Sequence, residues 1–249
     1  MPKYPVILLV VLIALASKSD AQSVTTVRVA QPTDLDWTFA LANQSLTKLP
    51  DNWLPVDYDS SKQRYDVLAL AQRESDRPIP LLLFVSPSNK PAAFREWATV
   101  CRRNGILLAS PYDAGNKCPG PKRVRIVMDV LSDLKSKHNI DPDRTYIGGF
   151  SGGGRIACMI AFAFPEYFGG VMPVCAGGQL RDESWLRQRV VDRLSIAQLT
   201  GEKDFNRGEV ERLRQRELEL LGVRCKTWVA KRAAHVIPDY SPSFERRAV

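Results

Sequence analysis

The stretch Thr145-Tyr-Ile-Gly-Gly-Phe-Ser151-Gly-Gly-Gly-Arg155 decides how the rest of the chain is read. Its first half is apolar, as a short strand requires, and its second half opens an apolar helical pattern that runs to Phe164. Between them Gly149-Phe-Ser151-Gly-Gly153 fits G-x-S-x-G, a pattern expected about 0.06 times by chance at this length and composition. A serine on a sharp strand-to-helix turn is held in a strained backbone conformation that projects its hydroxyl clear of the sheet. Side chains two residues to either side would collide, and glycine at 149 and 153 removes both collisions. The helix start also brings backbone N–H groups and the positive dipole end to any oxyanion formed there. The plain alternative is a glycine-rich turn carrying an incidental serine. A nucleotide-phosphate loop fits worse, because no Lys-Ser/Thr pair follows the glycines.

Working outward, strands and helices alternate. Tyr65 to Ala71 and Pro80 to Val85 read as strands, the second apolar enough to be buried on both faces. Ala93 to Asn104 reads as a helix, Gly105 to Ser110 as a strand and Pro121 to His138 as a longer helix, with a turn at Asp141 to Arg144. After the 145–155 stretch come strands at Gly170 to Val174, Ser195 to Thr200 and Lys226 to Ala230, and a helix at Gly208 to Leu221. Residues 22–64 and 177–194 lack a regular pattern. This alternation predicts an α/β class fold, a doubly wound and mostly parallel sheet with helices on both faces and no large lid.

The 249 residues, 45% hydrophobic and 25% charged, suit one globular domain and exclude a fibrous or low-complexity chain. The first 21 read as a secretory signal peptide: Lys3, an apolar run from Val6 to Ala16, then Ser19 and Ala21 before a cleavage point. That run is too short to span a bilayer, which takes about 20 residues. The expectation is a single domain over 22–249, secreted or periplasmic, with no membrane attachment after cleavage. The net charge falls from +8 to +7 once Lys3, Lys18 and Asp20 are removed. Lys and Arg are scattered without a basic block, so no nucleic-acid partner is expected. Export permits disulfides, but Cys101, Cys118, Cys158, Cys175 and Cys225 are an odd set. Cys101 with Cys118 is the preferred bridge, while Cys158 and Cys175 lie in apolar runs and read as buried thiols. With two histidines and no C-x-x-C, no metal site is expected.

A serine nucleophile needs a base and a group that orients the base. His138 closes a helix and precedes the serine, which suits a helix C-terminus. His235 follows the last strand, on the sheet edge where strand C-termini gather. For the acid, Thr200-Gly-Glu-Lys-Asp204-Phe-Asn206 offers Asp204 or Glu202. Asp204 is preferred because it lies farther into the loop after a turn at Gly201. The order Ser, Asp, His is that of α/β hydrolases rather than of the common serine proteases.

These residues, with PLLLFVSPS (80–88), SPYDAGNKCPG (110–120), DPDRTYIGGFSGGGRIA (141–157), FPEYFGGVMPVCAG (164–177), TGEKDFN (200–206) and AAHVIP (233–238), resemble secreted esterases of the α/β-hydrolase superfamily, the polyhydroxybutyrate depolymerase-like and feruloyl-esterase-like proteins. The resemblance implies Ser151 as acylated nucleophile, His235 as general base and then acid, and Asp204 as its orienting partner. It implies oxyanion donors at the Gly152 N–H and in the loop after the 80–85 strand. There His-Gly-Gly of many relatives is replaced by Ser86-Pro-Ser88; Pro87 has no N–H, so Ser88 is the expected donor, with Asn89 next. Eleven residues follow Pro238, short of the terminal helix that usually backs the histidine loop. Asp113, Asn116, Trp185 and Tyr240 are candidates to line the site. A small-molecule or polymer ester substrate and no cofactor are implied. A peptidase of prolyl-oligopeptidase type and a non-catalytic glycan- or polymer-binding relative are the alternatives.

Overall fold

A computed structural model describes residues 24–35, 58–68, 70 and 77–238; the leader and Tyr240 lie outside these. Eight strands form one sheet: β1 Val24–Arg28, β2 Arg64–Leu68, β3 Ile79–Val85, β4 Leu107–Pro111, β5 Ile140–Phe150, β6 Gly170–Val174, β7 Ser195–Gly201 and β8 Arg224–Ala230. Their spatial order is β1-β2-β4-β3-β5-β6-β7-β8. β2 is antiparallel to both of its neighbours, and the other pairings are parallel. Helices α1 Phe94–Asn104, α2 Gly120–Lys137, α3 Gly152–Ala163, α4 Ser184–Arg193 and α5 Arg207–Leu213 connect the strands.

β3 shows why the sheet is wrapped on both sides. Leu81, Leu83 and Val85 join a core with residues of α2, α3 and α4, among them Val127, Ile156 and Val190. Leu82 and Phe84 join a second core with Trp97 and Cys101 of α1. The period-2 alternation of a strand divides an unbroken apolar run between two layers. Phe84 meets Trp97 edge to face at 4.9 Å.

Several elements differ from expectation. β1 pairs with β2 from Val24↔Leu68 to Arg28↔Arg64; its VTTVR has almost no buried face, so no apolar alternation announces it. α4 buries only Leu186 and Val190, one turn apart, too sparse a stripe to stand out among its charges. The expected turn at Asp141–Arg144 sits inside β5 as a register break between the pairs Ile79↔Ile140 and Leu81↔Thr145. Its chemistry is that of a turn, with Asp141 Oδ1 accepting the N–H groups of Asp143 and Arg144. The 208–221 helix passes through a π-turn at Arg214–Leu218. That wide turn returns Leu218, five residues after Leu213, to the buried face.

The Cys101–Cys118 bridge does not form, and none of the five cysteines is in a disulfide. Cys101 packs into the α1 side of the sheet and Cys118 against the core on the opposite side.

Two buried carboxylates on α2 anchor the N-terminal segment. Asp133 accepts from the N–H groups of Ala30 and Gln31 at 2.8 and 2.9 Å, from Tyr65 Oη at 2.7 Å and from Lys137. Asp129, one turn earlier, accepts from Thr33 N–H and Tyr58 Oη. Burial alone would raise the Asp133 carboxyl, but the bonds from Lys137, Tyr65, Ala30 and Gln31 outweigh it and hold it below the ordinary value. A depressed folded pKa stabilises the fold above the unfolded value of about 4, and that contribution is lost as pH falls through the folded pKa. Asp133→Ala should cost about 1–3 kcal/mol, because it leaves the buried Tyr65 hydroxyl without its acceptor. Denaturant titration from pH 7 to 3 should show the loss at neutral pH and a flatter acid dependence than in the parent.

Candidate active site

Ser151 stands between β5 and α3 with φ 53° and ψ −121°, a backbone that L side chains rarely adopt. Its N–H donates to Val174 O at the end of β6. The flanking glycines are required by contact: a Cβ on Gly149 would lie 2.4 Å from the carbonyl carbon and oxygen of Gly153, and one on Gly153 would lie 2.1 Å from Val85 O. Strand, turn and helix interlock here with no room for a methyl group.

Asp204 and His235 come together on the same edge. His235 Nδ1 and Asp204 Oδ1 are 2.7 Å apart. Asp204 is 6% exposed and also accepts from Thr200 Oγ1 at 2.7 Å and from Asn206 N–H at 2.9 Å. Burial pushes its carboxyl up, but the bonds from Thr200, Asn206, His235 and Cys175 together hold it below the usual range, so it is ionised at neutral pH. Glu202, the other candidate acid, instead accepts Arg232 N–H and braces the turn leading to the histidine. Gly201 serves close approach more than a sharp turn: a Cβ there would lie 2.4 Å from the carbonyls of Ala233 and Ala234. The histidine loop is held further by Lys203 N–H on Ala233 O and by Trp97 Nε1 on Pro238 O.

The imidazole lies between two rings. Phe150, next to Ser151 in the chain, is 4.7 Å from it between centroids, and Phe205 stacks on it at 4.1 Å. Phe205 is 77% exposed. Its place directly after Asp204 was visible in the sequence; its contact with a histidine thirty positions away was not. His138 caps the C-terminus of α2 as expected.

At the start of α3 the Asn116 amide covers Gly152, where a Cβ would lie 1.9 Å from Asn116 Oδ1. Arg123 is buried and donates to the carbonyls of Ala114 and Gly152, joining the 112–118 loop to the start of α3. Asp113 takes φ 59°, with its N–H on Asn89 O. Trp185 lies on α4 beneath Arg189. The Ser88 N–H is directed at Ser86 Oγ, 3.1 Å away, so this expected oxyanion donor is engaged within its own loop.

Donor atoms of Cys175, Asp204 and His235 lie within 4.8 Å of one another, a sulfur, oxygen and nitrogen set that suits a soft cation. Nδ1 and Oδ1 already bond each other, and burial pushes the Cys175 thiol up to about 12, keeping it protonated. These groups are thus already hydrogen-bonded, Asp204 to His235 and Cys175 to Val236 O.

No family model matches the chain. Among solved structures it superposes on a thermostable esterase with TM-score 0.57 and 19% identity, covering 76% of this chain and 58% of that one. It superposes on a ferulic acid esterase with TM-score 0.58 and 16% identity, covering 71% and 87%. The fold is that of the α/β hydrolases. FphF, a fluorophosphonate-binding serine hydrolase of Staphylococcus aureus, shares this α/β-hydrolase fold with TM-score 0.57 and 13% identity over 76% of this chain and 92% of its own. In sequence, 66 residues are 27% identical to poly(3-hydroxyalkanoate) depolymerase C of Paucimonas lemoignei, 26% of this chain and 16% of that protein.

Proposed function

We propose that the protein is a serine hydrolase of carboxylic esters, exported, and acting on a small-molecule or polymer ester through an acyl-enzyme on Ser151. The observation that carries this reading is the 2.7 Å Asp204–His235 pair, its imidazole 4.7 Å from the ring of Phe150, the residue before a serine in a strained strand-to-helix turn. Oγ of Ser151 attacks the ester carbonyl and passes its proton to Nε2 of His235, while Asp204 accepts from Nδ1–H and stabilises the imidazolium. The oxyanion takes the Gly152 N–H; the Ser88 N–H becomes a second donor on exchanging Ser86 Oγ for the substrate oxygen. The imidazolium then protonates the departing alcohol, and water, deprotonated by His235, releases the acid. The names of the ferulic acid esterase and the depolymerase favour esters over amides.

A panel of nitrophenyl acetate and butyrate, feruloyl and hydroxybutyrate esters, set against an aminoacyl anilide, tests the reading. Turnover of one or more esters with no anilide cleavage is expected; anilide cleavage alone would favour the peptidase. Phe205→Ala should lower kcat/KM by about 3- to 10-fold, the worth of an aromatic contact of 0.5–1.5 kcal/mol. Since Phe205 packs mainly on His235 at the surface, its thermal midpoint should stay within about 2 °C.

A further inference from the structure

Cys175 follows the last residue of β6, one place past the Phe150↔Val174 pair just as Ser151 is, and it too has positive φ, 52°. Glycine would adopt that conformation without strain, and the chain has glycines at 177 and 178, yet a cysteine occupies 175. The side chain is fully buried. Its Sγ is 3.4 Å from Val236 O, the carbonyl next to His235, and within 4.8 Å of an Asp204 carboxylate oxygen. The backbone is fastened to the same group of residues. Cys175 N–H donates to Leu199 O at 2.7 Å, and Cys175 O accepts from Asn206 Nδ2, whose own N–H holds Asp204 Oδ1. The other groups facing the thiol are the Gly201 backbone and Thr200 across Asp204.

We infer that Cys175 is a positioning residue, whose thiol bridges the acid and the histidine loop and sets the distance across which Asp204 holds His235. The inference rests on the serine-hydrolase reading above. It gives the strained backbone a reason: in this conformation Sγ reaches Val236 O in the histidine loop. The thiol is protonated, its pKa pushed up to about 12 by burial and by Asp204, so it faces the carboxylate as a neutral group rather than as a second negative charge. It donates its single proton to Val236 O, beside the carboxylate.

Three variants test this. Cys175→Gly relieves the backbone strain and deletes the thiol, Cys175→Ala deletes the thiol alone, and Cys175→Ser keeps a donor. For the Gly and Ala variants the expected result with nitrophenyl acetate is a loss in kcat of about tenfold, KM staying within twofold, and a broadened low-field imidazole N–H proton resonance. Cys175→Gly should do this without a lower thermal midpoint, and Cys175→Ser should recover most of kcat and the sharp resonance. Parental kcat in Cys175→Gly, or a serine variant as impaired as the glycine one, overturns the inference while labelling of Ser151 by a fluorophosphonate leaves the serine-hydrolase reading standing. A parent protein that neither turns over esters nor labels removes both.

Discussion

Ser151→Ala is expected to lower kcat for esters by on the order of 10⁶-fold, with KM within a few-fold and the fold intact. The size follows from the serine's double role. Its oxygen forms the covalent bond, and the loss of that oxygen leaves the Asp204–His235 pair with no proton to take. Residual hydrolysis of about 10³–10⁴ over water should persist from oxyanion stabilisation and binding. His235→Ala should cost about as much, and the double variant hardly more, since a base without a nucleophile has nothing to activate. Additive losses in the double variant would show that the two residues do not act as a unit. The measurement is steady-state kinetics on nitrophenyl acetate, with active protein counted by circular dichroism and thermal midpoint.

The second large effect concerns the turn. Gly153→Ala places a methyl group 2.1 Å from Val85 O, and neither β3 nor α3 can give way without disturbing both cores. A loss of about 3 kcal/mol or more is expected, at the upper end of overpacking costs, which for a chain of this size is about 6–12 °C in thermal midpoint. Gly208→Ala is the matched control. It lies in α5 with nothing within 4 Å of its Cβ, so it should be neutral or stabilise by up to about 1 kcal/mol. Equal midpoints for the two variants would contradict the interlocked turn.

The parts of this molecule that follow a local rule were readable from sequence. Leu81–Val85, the glycines around Ser151 and the π-turned helix after residue 207 all declare themselves through periodicity or through a residue type the backbone requires. What escaped depends on partners distant in the chain. β1 exists because Leu68 and its neighbours offer it an edge and Asp133 catches the backbone that follows. The Cys101–Cys118 bridge fails because the sheet runs between them, a fact of topology that spacing does not encode. Cys175 reads as one more apolar residue until the loops after β7 and β8 close around it. The missing N–H of Pro87 points to Ser88, and only folded geometry reveals that Ser86 engages its N–H. Phe205 is exposed, and exposure alone marks nothing; stacking on His235 is what distinguishes it.

The central claim is that a serine at 151 is activated by the pair at 204 and 235, and covalent labelling tests it most directly. Folded protein is treated with a fluorophosphonate and the adduct located by peptide mass spectrometry. The prediction is one adduct per chain, on Ser151, absent from Ser151→Ala and slowed by orders of magnitude in His235→Ala. An unlabelled parent, an adduct elsewhere, or undiminished labelling without the histidine would contradict the account.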